Sequence, residues 1–286
     1  MDKAAFRNKA LGSLWGLVIG DALGAYLEFS DKNCHEILME YKDGGPHNIR
    51  AGDWTDDTAM ALAVCDSLRK GRVDLNDIMD NFTEWMNHGK YSSNGKCFDI
   101  GNATEEALST YAATRRHSVI NSQSKGNGSL MRLTPSVVYA YAHGKDFSVV
   151  EAISDLTHNN AYMHGCVQVM TGVMFSHFEG LKSTNTFAYK TRKACRPTGL
   201  AHQTLGCALW AFCNSRGFQE GLLKAVNLGG DSDTIGAVYG QIAGAWYGFD
   251  RIPPKWKTGL QCNDYLTAMF DSLVESCLQN GIICVD

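Results

Sequence analysis

Two short stretches of the chain set a hydroxyl beside two carboxylates where an apolar segment begins. The first is Thr55-Asp56-Asp57, within GDWTDDTAMAL from Gly52; the second is Asp231, Asp233 and Thr234, within NLGGDSDTIGAVYG. Adjacent like charges repel, so each stretch needs compensation. Helix capping offers a local explanation, because Thr and Asp are good N-caps and Asp in a first turn interacts favourably with the helix dipole. Two such stretches, far apart in the chain and alike in residue type, point instead to two halves of one site. Together they offer only oxygen ligands, with no His or Cys, a set suited to Mg²⁺, Mn²⁺ or Ca²⁺ and not to zinc. Their four carboxylates would be neutralised by two divalent cations, and a two-metal site can bind a diol or activate a water. An EF-hand is excluded, because the fifth position from Asp231 is Ile235 and the twelfth is Ile242 where that loop needs Glu.

The elements that must position these residues read as helices. Periodicity of 3.6 predicts helices near 5–25, 58–70, 75–88, 102–115, 148–157, 161–180, 200–214, 217–226, 233–247 and 263–280. No alternating β-branched hairpin pattern occurs, so the expected fold is all-α. No linker or low-complexity tract divides the chain, which reads as a single domain over 1–286. Two of the helices carry glycine at every fourth position: Gly12, Gly16, Gly20 and Gly24, then Gly236, Gly240, Gly244 and Gly248. Interior helical glycine costs about 1 kcal/mol relative to alanine, so these ridges need a reason. Close backbone approach is that reason, either of the two helices to each other or of each to an unrelated neighbour. Asp21 and Gln241 interrupt the two segments, which excludes a membrane dimer motif.

Composition narrows the class. The net charge is −4 and only 20% of residues are charged, so there is no basic footprint for nucleic acid or an anionic membrane. No signal peptide and no transmembrane helix are expected. The ten cysteines stand singly, with no CxxC pair, which favours reduced thiols in a cytoplasmic protein over disulfides or structural zinc.

At this point the chain resembles the ADP-ribosylglycohydrolases, the family of dinitrogenase reductase-activating glycohydrolase. Six ordered blocks carry the resemblance: GLVIGDALGAYLEF near the start, WTDDTAMAL, CFDIGNAT at 97–104, GNGSLMRLTP at 126–135, LTHNN at 156–160 and LGGDSDTIGAVYGQIAGAWYG near the end. The resemblance implies a compact orthogonal multi-helix bundle with a binuclear metal cleft holding Mg²⁺ or Mn²⁺, and hydrolysis of the glycosidic bond between ADP-ribose and an acceptor. Matched by motif, Thr55, Asp56, Asp57, Asp231, Asp233 and Thr234 would be metal ligands, with Asp56 also counted among the catalytic residues. Glu28 would approach the metals and the reacting ribose. Asp99 would stand on the acceptor side of the ribose, with Gly101, Asn102 and Thr104 nearby. Gly126, Asn127, Gly128 and Ser129 would form a diphosphate loop, with Met131 beside it, and His158 would line the ribose-phosphate cleft.

Taken alone, GNGS is a turn signal, lacking the third Gly of a dinucleotide fingerprint and the Lys of a P-loop; beside a metal site its amides become a plausible anion cradle. Glu28 or Asp99 must manage protons during the oxocarbenium-like cleavage, with Glu28 favoured for the diol or water and Asp99 for an arginine guanidinium. Some relatives have an aromatic residue before the GNG loop where this chain has Ser124 and Lys125, which leaves adenine or ribose stacking to Tyr162 or Trp210. Glu105 stands where a basic or neutral residue is expected. The expected partner is an ADP-ribosylated protein, most simply one modified on arginine. Serine-linked, O-acetyl- or nucleic-acid-linked ADP-ribose, or an inactive ADP-ribose binder, are the alternatives.

Overall fold

Glycine spacing decides which two helices meet at the centre. The computed structural model describes residues 1–32, 36–121, 123–182 and 188–282. Helix α1 (Lys3–Gly24) and helix α10 (Ser232–Tyr247) run against each other along their glycine ridges. A Cβ added at Gly12 would lie 2.6 Å from the Gly244 carbonyl oxygen, one at Gly16 2.2 Å from that of Gly240, and one at Gly20 2.0 Å from that of Gly236. The pairing order reverses along α10, so the helices are antiparallel and the two ridges face each other. Gly248 departs from the expected ridge: it ends α10 in left-handed backbone, φ +79°, instead of extending it.

Around this pair stand α2 (Asp56–Leu68), α3 (Leu75–His88), α4 (Asn102–Thr114), α5 (Thr134–Ala142), α6 (Phe147–His158), α7 (Ala161–Phe178), α8 (Ala201–Cys213), α9 (Phe218–Val226), α11 (Pro254–Thr258) and α12 (Asn263–Asn280). The fold is all-α, with no strand among the described residues. All ten expected helices are present, with ends shifted by one or two residues. Helices α5 and α11 are additional. Helix α5, TPSVVYAYA, is buried at every position but Tyr141, so it shows no contrast between faces for periodicity to detect. Helix α11 has five residues, too few for a period to show.

Polar groups in the centre are satisfied internally. Gln241 accepts from the Thr134 N–H and hydroxyl, each at 2.9 Å, and its amide donates to the carbonyls of Leu130 and Met131 at 3.0 and 2.7 Å. This side chain ties α10 to the segment that follows GNGS. The stretch Lys3–Leu27 is long and apolar enough by composition to cross a membrane, yet 94% of its apolar window is buried inside this fold. Its apolarity is that of a core helix. Eight cysteines are free thiols among the described residues; Cys34 and Cys284 lie outside them.

The α1–α10 contact makes a sharp prediction. Gly240→Ala puts a methyl 1.9 Å from the Gly16 oxygen, and thermal unfolding should show a loss of about 2–3 kcal/mol or more. Gly172→Ala, at an exposed site in α7 with nothing within 4 Å of the added Cβ, should instead hold stability or raise it by up to about 1 kcal/mol.

Candidate metal centre and substrate cleft

The antiparallel crossing brings the C-terminal end of α1 to the N-terminal end of α10. The Ser232 hydroxyl donates to the Gly24 carbonyl at 2.8 Å, and a Cβ at Gly24 would stand 2.3 Å from the Ser232 oxygen. Asp21, one turn from the end of α1, reaches the start of α2. Its Oδ1 accepts the Thr55 N–H and hydroxyl at 3.0 and 2.9 Å; its Oδ2 accepts the Thr58 N–H and hydroxyl at 3.0 and 2.6 Å. Asp21 therefore does the capping at this helix N-terminus. Thr55, at the N-cap position, makes no side-chain capping bond. With the backbone amides served by Asp21, the carboxylates of Asp56 and Asp57 are released from capping. Burial raises Asp21 to about 6, against the lowering by these four hydrogen bonds.

The two acidic stretches converge. The Thr55 hydroxyl lies 3.5 Å from Asp233 Oδ2, and the Thr234 hydroxyl donates to Asp57 Oδ1 at 3.4 Å. Ligand oxygens of Glu28, Asp231 and Asp233 all lie within 4.8 Å of one another. Asp231 is held by Asn127, whose side-chain amide donates to Oδ2 at 2.6 Å. Asp57 Oδ2 and Asp233 Oδ1 are buried and have no hydrogen-bond partner. Burial first, then the neighbouring carboxylates, pushes Asp56, Asp57 and Asp233 well above the ordinary carboxylate range. A buried carboxylate oxygen without a partner is costly unless it is paired or coordinates a metal. The donor set therefore fits hard divalent cations: oxygens only, preassembled, and with two oxygens left unserved.

These residues floor a cleft of about 500 Å³, a size suited to a nucleotide-like ligand. Asp56, Asp57, Asp231 and Thr234 line it, whereas Thr55 and Asp233 lie behind it and fully buried. Glu28, Asp99, Gly101, Asn102 and Thr104 continue the lining. Asp99 rises to about 7 through burial and then the charge of Glu28, partly offset by His47. Glu28 is also raised by burial, opposed by its hydrogen bond to His47. His47 was invisible in the sequence. It rides a short turn closed by paired backbone bonds between Gly44 and Ile49, and its Nε2 contacts Glu28 and, at 3.5 Å, Asp99.

The other wall comes from the GNGS segment, Met131 and His158. Here one amide of the expected anion cradle is already engaged. The Asn127 N–H donates to the Gly199 carbonyl at 3.0 Å, and its side chain holds Asp231 and Thr204, so Asn127 is a prop for the acidic floor. Ser129 is buried away from the cleft, its hydroxyl accepting from Ser154 at 2.8 Å. Gly126 and Gly128 line the cleft, with His158 packed close: a Cβ on Gly128 would lie 2.8 Å from its ring. Burial, then the Arg132 charge, lowers His158 to about 3, so it faces the cleft as a neutral ring. Arg132, also unsuspected from sequence, is buried and donates to the Gly128 carbonyl and to the Thr157 hydroxyl, the latter at 2.7 Å. Thr157 in turn touches His158 Nδ1 at 2.7 Å. Neither Tyr162 nor Trp210 lines this cleft: Tyr162 pairs with His202, and Trp210 lines a separate cavity with Arg192 and Leu223. Glu105 faces solvent in the first turn of α4.

Comparison with known proteins places the chain among its relatives. A family profile described as ADP-ribosylglycohydrolase matches residues 2–282. The chain is 33% identical to an ADP-ribosylarginine hydrolase Tri1 from Pseudomonas putida (strain GB-1), over 94% of this chain and 78% of that one. It is 31% identical to the ADP-ribosyl-dinitrogen reductase glycohydrolase of Rhodospirillum rubrum, over 91% and 92% of the two chains. A solved structure described as an ADP-ribosylglycohydrolase-related protein complex superposes with a TM-score of 0.83 at 32% identity, covering 96% of this chain and 99% of that one.

The crowded acids predict a linked dependence on pH and ions. Their folded-state pKa values lie above the unfolded value of 3.8, so the stability they contribute is full below that pH and is lost as pH rises through the folded values, which for Asp99 is about 7. In chelator, the melting temperature should fall between about pH 4 and pH 7. Mg²⁺ or Mn²⁺ should raise it more at pH 8 than at pH 5. Asp57→Asn should abolish that ion response without lowering the melting temperature in chelator. A melting temperature indifferent to both ions at pH 8 would refute the metal centre.

Proposed function

The chain belongs to the ADP-ribosylglycohydrolase family, and on that premise we propose that it hydrolyses the bond joining ADP-ribose to an arginine side chain of a modified protein. The observation that carries this reading is the convergence of Asp56, Asp57, Asp231 and Asp233, with two orphaned oxygens, beside the half-buried Asp99. The two relatives named for ADP-ribosylarginine and for ADP-ribosylated dinitrogen reductase support an arginine acceptor on a protein.

In this reading Thr55, Asp56, Asp57, Asp231, Asp233 and Thr234 hold two divalent cations, Mg²⁺ or Mn²⁺. Such ions supply Lewis acidity and a template for a vicinal diol. The chain's own residues do the rest. Gly126, Gly128, Met131 and His158 form the wall along which the ADP portion lies, and the neutral His158 offers its ring edge without adding charge. Glu28 sits against the acidic floor, where a ribose held by its diol presents the anomeric carbon, and is placed to take a proton from the attacking water. Asp99 faces the leaving group. Burial and the neighbouring Glu28 favour its protonated form, so it can pass a proton to the guanidine as the bond breaks and then pair with the guanidinium. Hydrolysis places the water oxygen on the anomeric carbon and returns hydrogen to the guanidine nitrogen.

A panel of arginine-, serine- and acetyl-linked ADP-ribose, each with Mg²⁺, Mn²⁺ or chelator, decides the matter. Turnover of the arginine-linked substrate should require an ion and vanish in chelator. Asp99→Asn should slow it on the order of 10²-fold. Turnover of serine- or acetyl-linked ADP-ribose without the arginine conjugate would overturn the acceptor assignment, and no turnover on any of the three would leave a binder in place of an enzyme.

A further inference from the structure

The mouth of the cleft beside the acidic floor carries a strained residue that hydrolysis alone does not explain. Phe29 has φ +58°, in the left-handed region that bulky side chains avoid; Asp99 has φ +61°, which an Asp adopts more readily. Phe29 is also 69% exposed, although it is among the residues that line the cleft. The strain is locked in place: the Phe29 N–H donates to the Gly230 carbonyl at 2.7 Å and the Gly230 N–H donates to the Ser30 carbonyl at 2.8 Å, immediately before Asp231. Between Phe29 and Asp99 lies the His47 ring. Its Nε2 meets the carboxylates of Glu28 and Asp99, and its centroid is 6.1 Å from the ring of Phe29 and 5.3 Å from that of Phe98, the planes tilted by 60° and 49°. A planar ring able to carry positive charge is thus enclosed by two carboxylates and two aromatic rings.

We propose that this box is the acceptor subsite, that the substrate guanidinium pairs there with Asp99 where the His47 edge now stands, leaving Glu28 to the water, and that Phe29 sets specificity by packing its ring against the guanidinium. The proposal deepens the arginine reading above and rests on it. A guanidinium is planar, permanently charged and weakly hydrated, so it can stack on an aromatic ring while its edge pairs with a carboxylate. A serine oxygen or an acetyl ester brings neither plane nor charge. Adenine is planar but neutral, and it trails a diphosphate that the surrounding carboxylates repel. Because Glu28 belongs both to the box and to the acidic floor, a guanidinium held here lies next to the ribose it must leave.

The test uses Mg²⁺-loaded enzyme with Phe29→Ala, Phe29→Leu and Phe29→Tyr. It measures kcat/KM on an ADP-ribosyl-arginine peptide and the affinity for free ADP-ribose by calorimetry. The Ala and Leu variants should lose on the order of tenfold in kcat/KM while their ADP-ribose affinity stays within about twofold, and Tyr should keep wild-type values. Leu preserves apolar bulk, so it serves if the Ala variant fails to fold. A parallel loss of ADP-ribose affinity would make Phe29 an adenine platform and overturn the proposal, as would undiminished kcat/KM in the Leu variant or a Tyr variant as poor as Leu. A wild-type enzyme that does not cleave the arginine conjugate would sink the arginine reading itself, an outcome distinct from any of these.

Discussion

Everything in this molecule depends on two helix backbones touching. Carbonyl oxygens of α1 and α10 sit where the other helix's Cβ atoms would be, which only glycine permits. The contact is more than packing. It sets the end of α1 against the start of α10, and that junction is where Asp21, Glu28, Asp231 and Asp233 stand. A looser crossing with ordinary side chains would hold the helices farther apart, at the usual 8–10 Å or so between axes, and would separate the acids.

The junction gathers charge that the protein cannot neutralise by itself. Asp21 shows how a buried carboxylate is made tolerable by chain donors: four hydrogen bonds from Thr55 and Thr58 surround it. Asp57 and Asp233 have no such coverage on one oxygen each. The difference divides an acid satisfied by the chain from acids with an oxygen free to meet a cation. It also illustrates the exchange between stability and function at preassembled sites, where local destabilisation persists because the surrounding fold over-determines it.

The cleft is electrostatically two-ended. At one end His158 is kept neutral by burial and by the cation of Arg132, which also supports Gly128 and Thr157. At the other, Glu28 and Asp99 hold His47 between aromatic rings. A ligand with a cationic terminus is therefore favoured with that terminus at the acidic end. Asn127 links the halves, since it leaves the GNGS turn to brace Asp231.

Much of this was legible in the residues. Helix periods gave ten of the helices, the fourfold glycine spacing flagged α1 and α10, and the oxygen-only clusters at Thr55–Asp57 and Asp231–Thr234 pointed to hard cations, because helical geometry and ligand chemistry are local properties. Helix α5 escaped, since burial all round leaves no period to read. Whether the glycine ridges faced each other was undecided in the sequence, because a ridge records that something comes close and not what. His47, Arg132 and the bracing role of Asn127 also escaped. Each is a single residue of common type whose role comes from neighbours distant in the chain, and only the folded backbone brings those neighbours within hydrogen-bond reach.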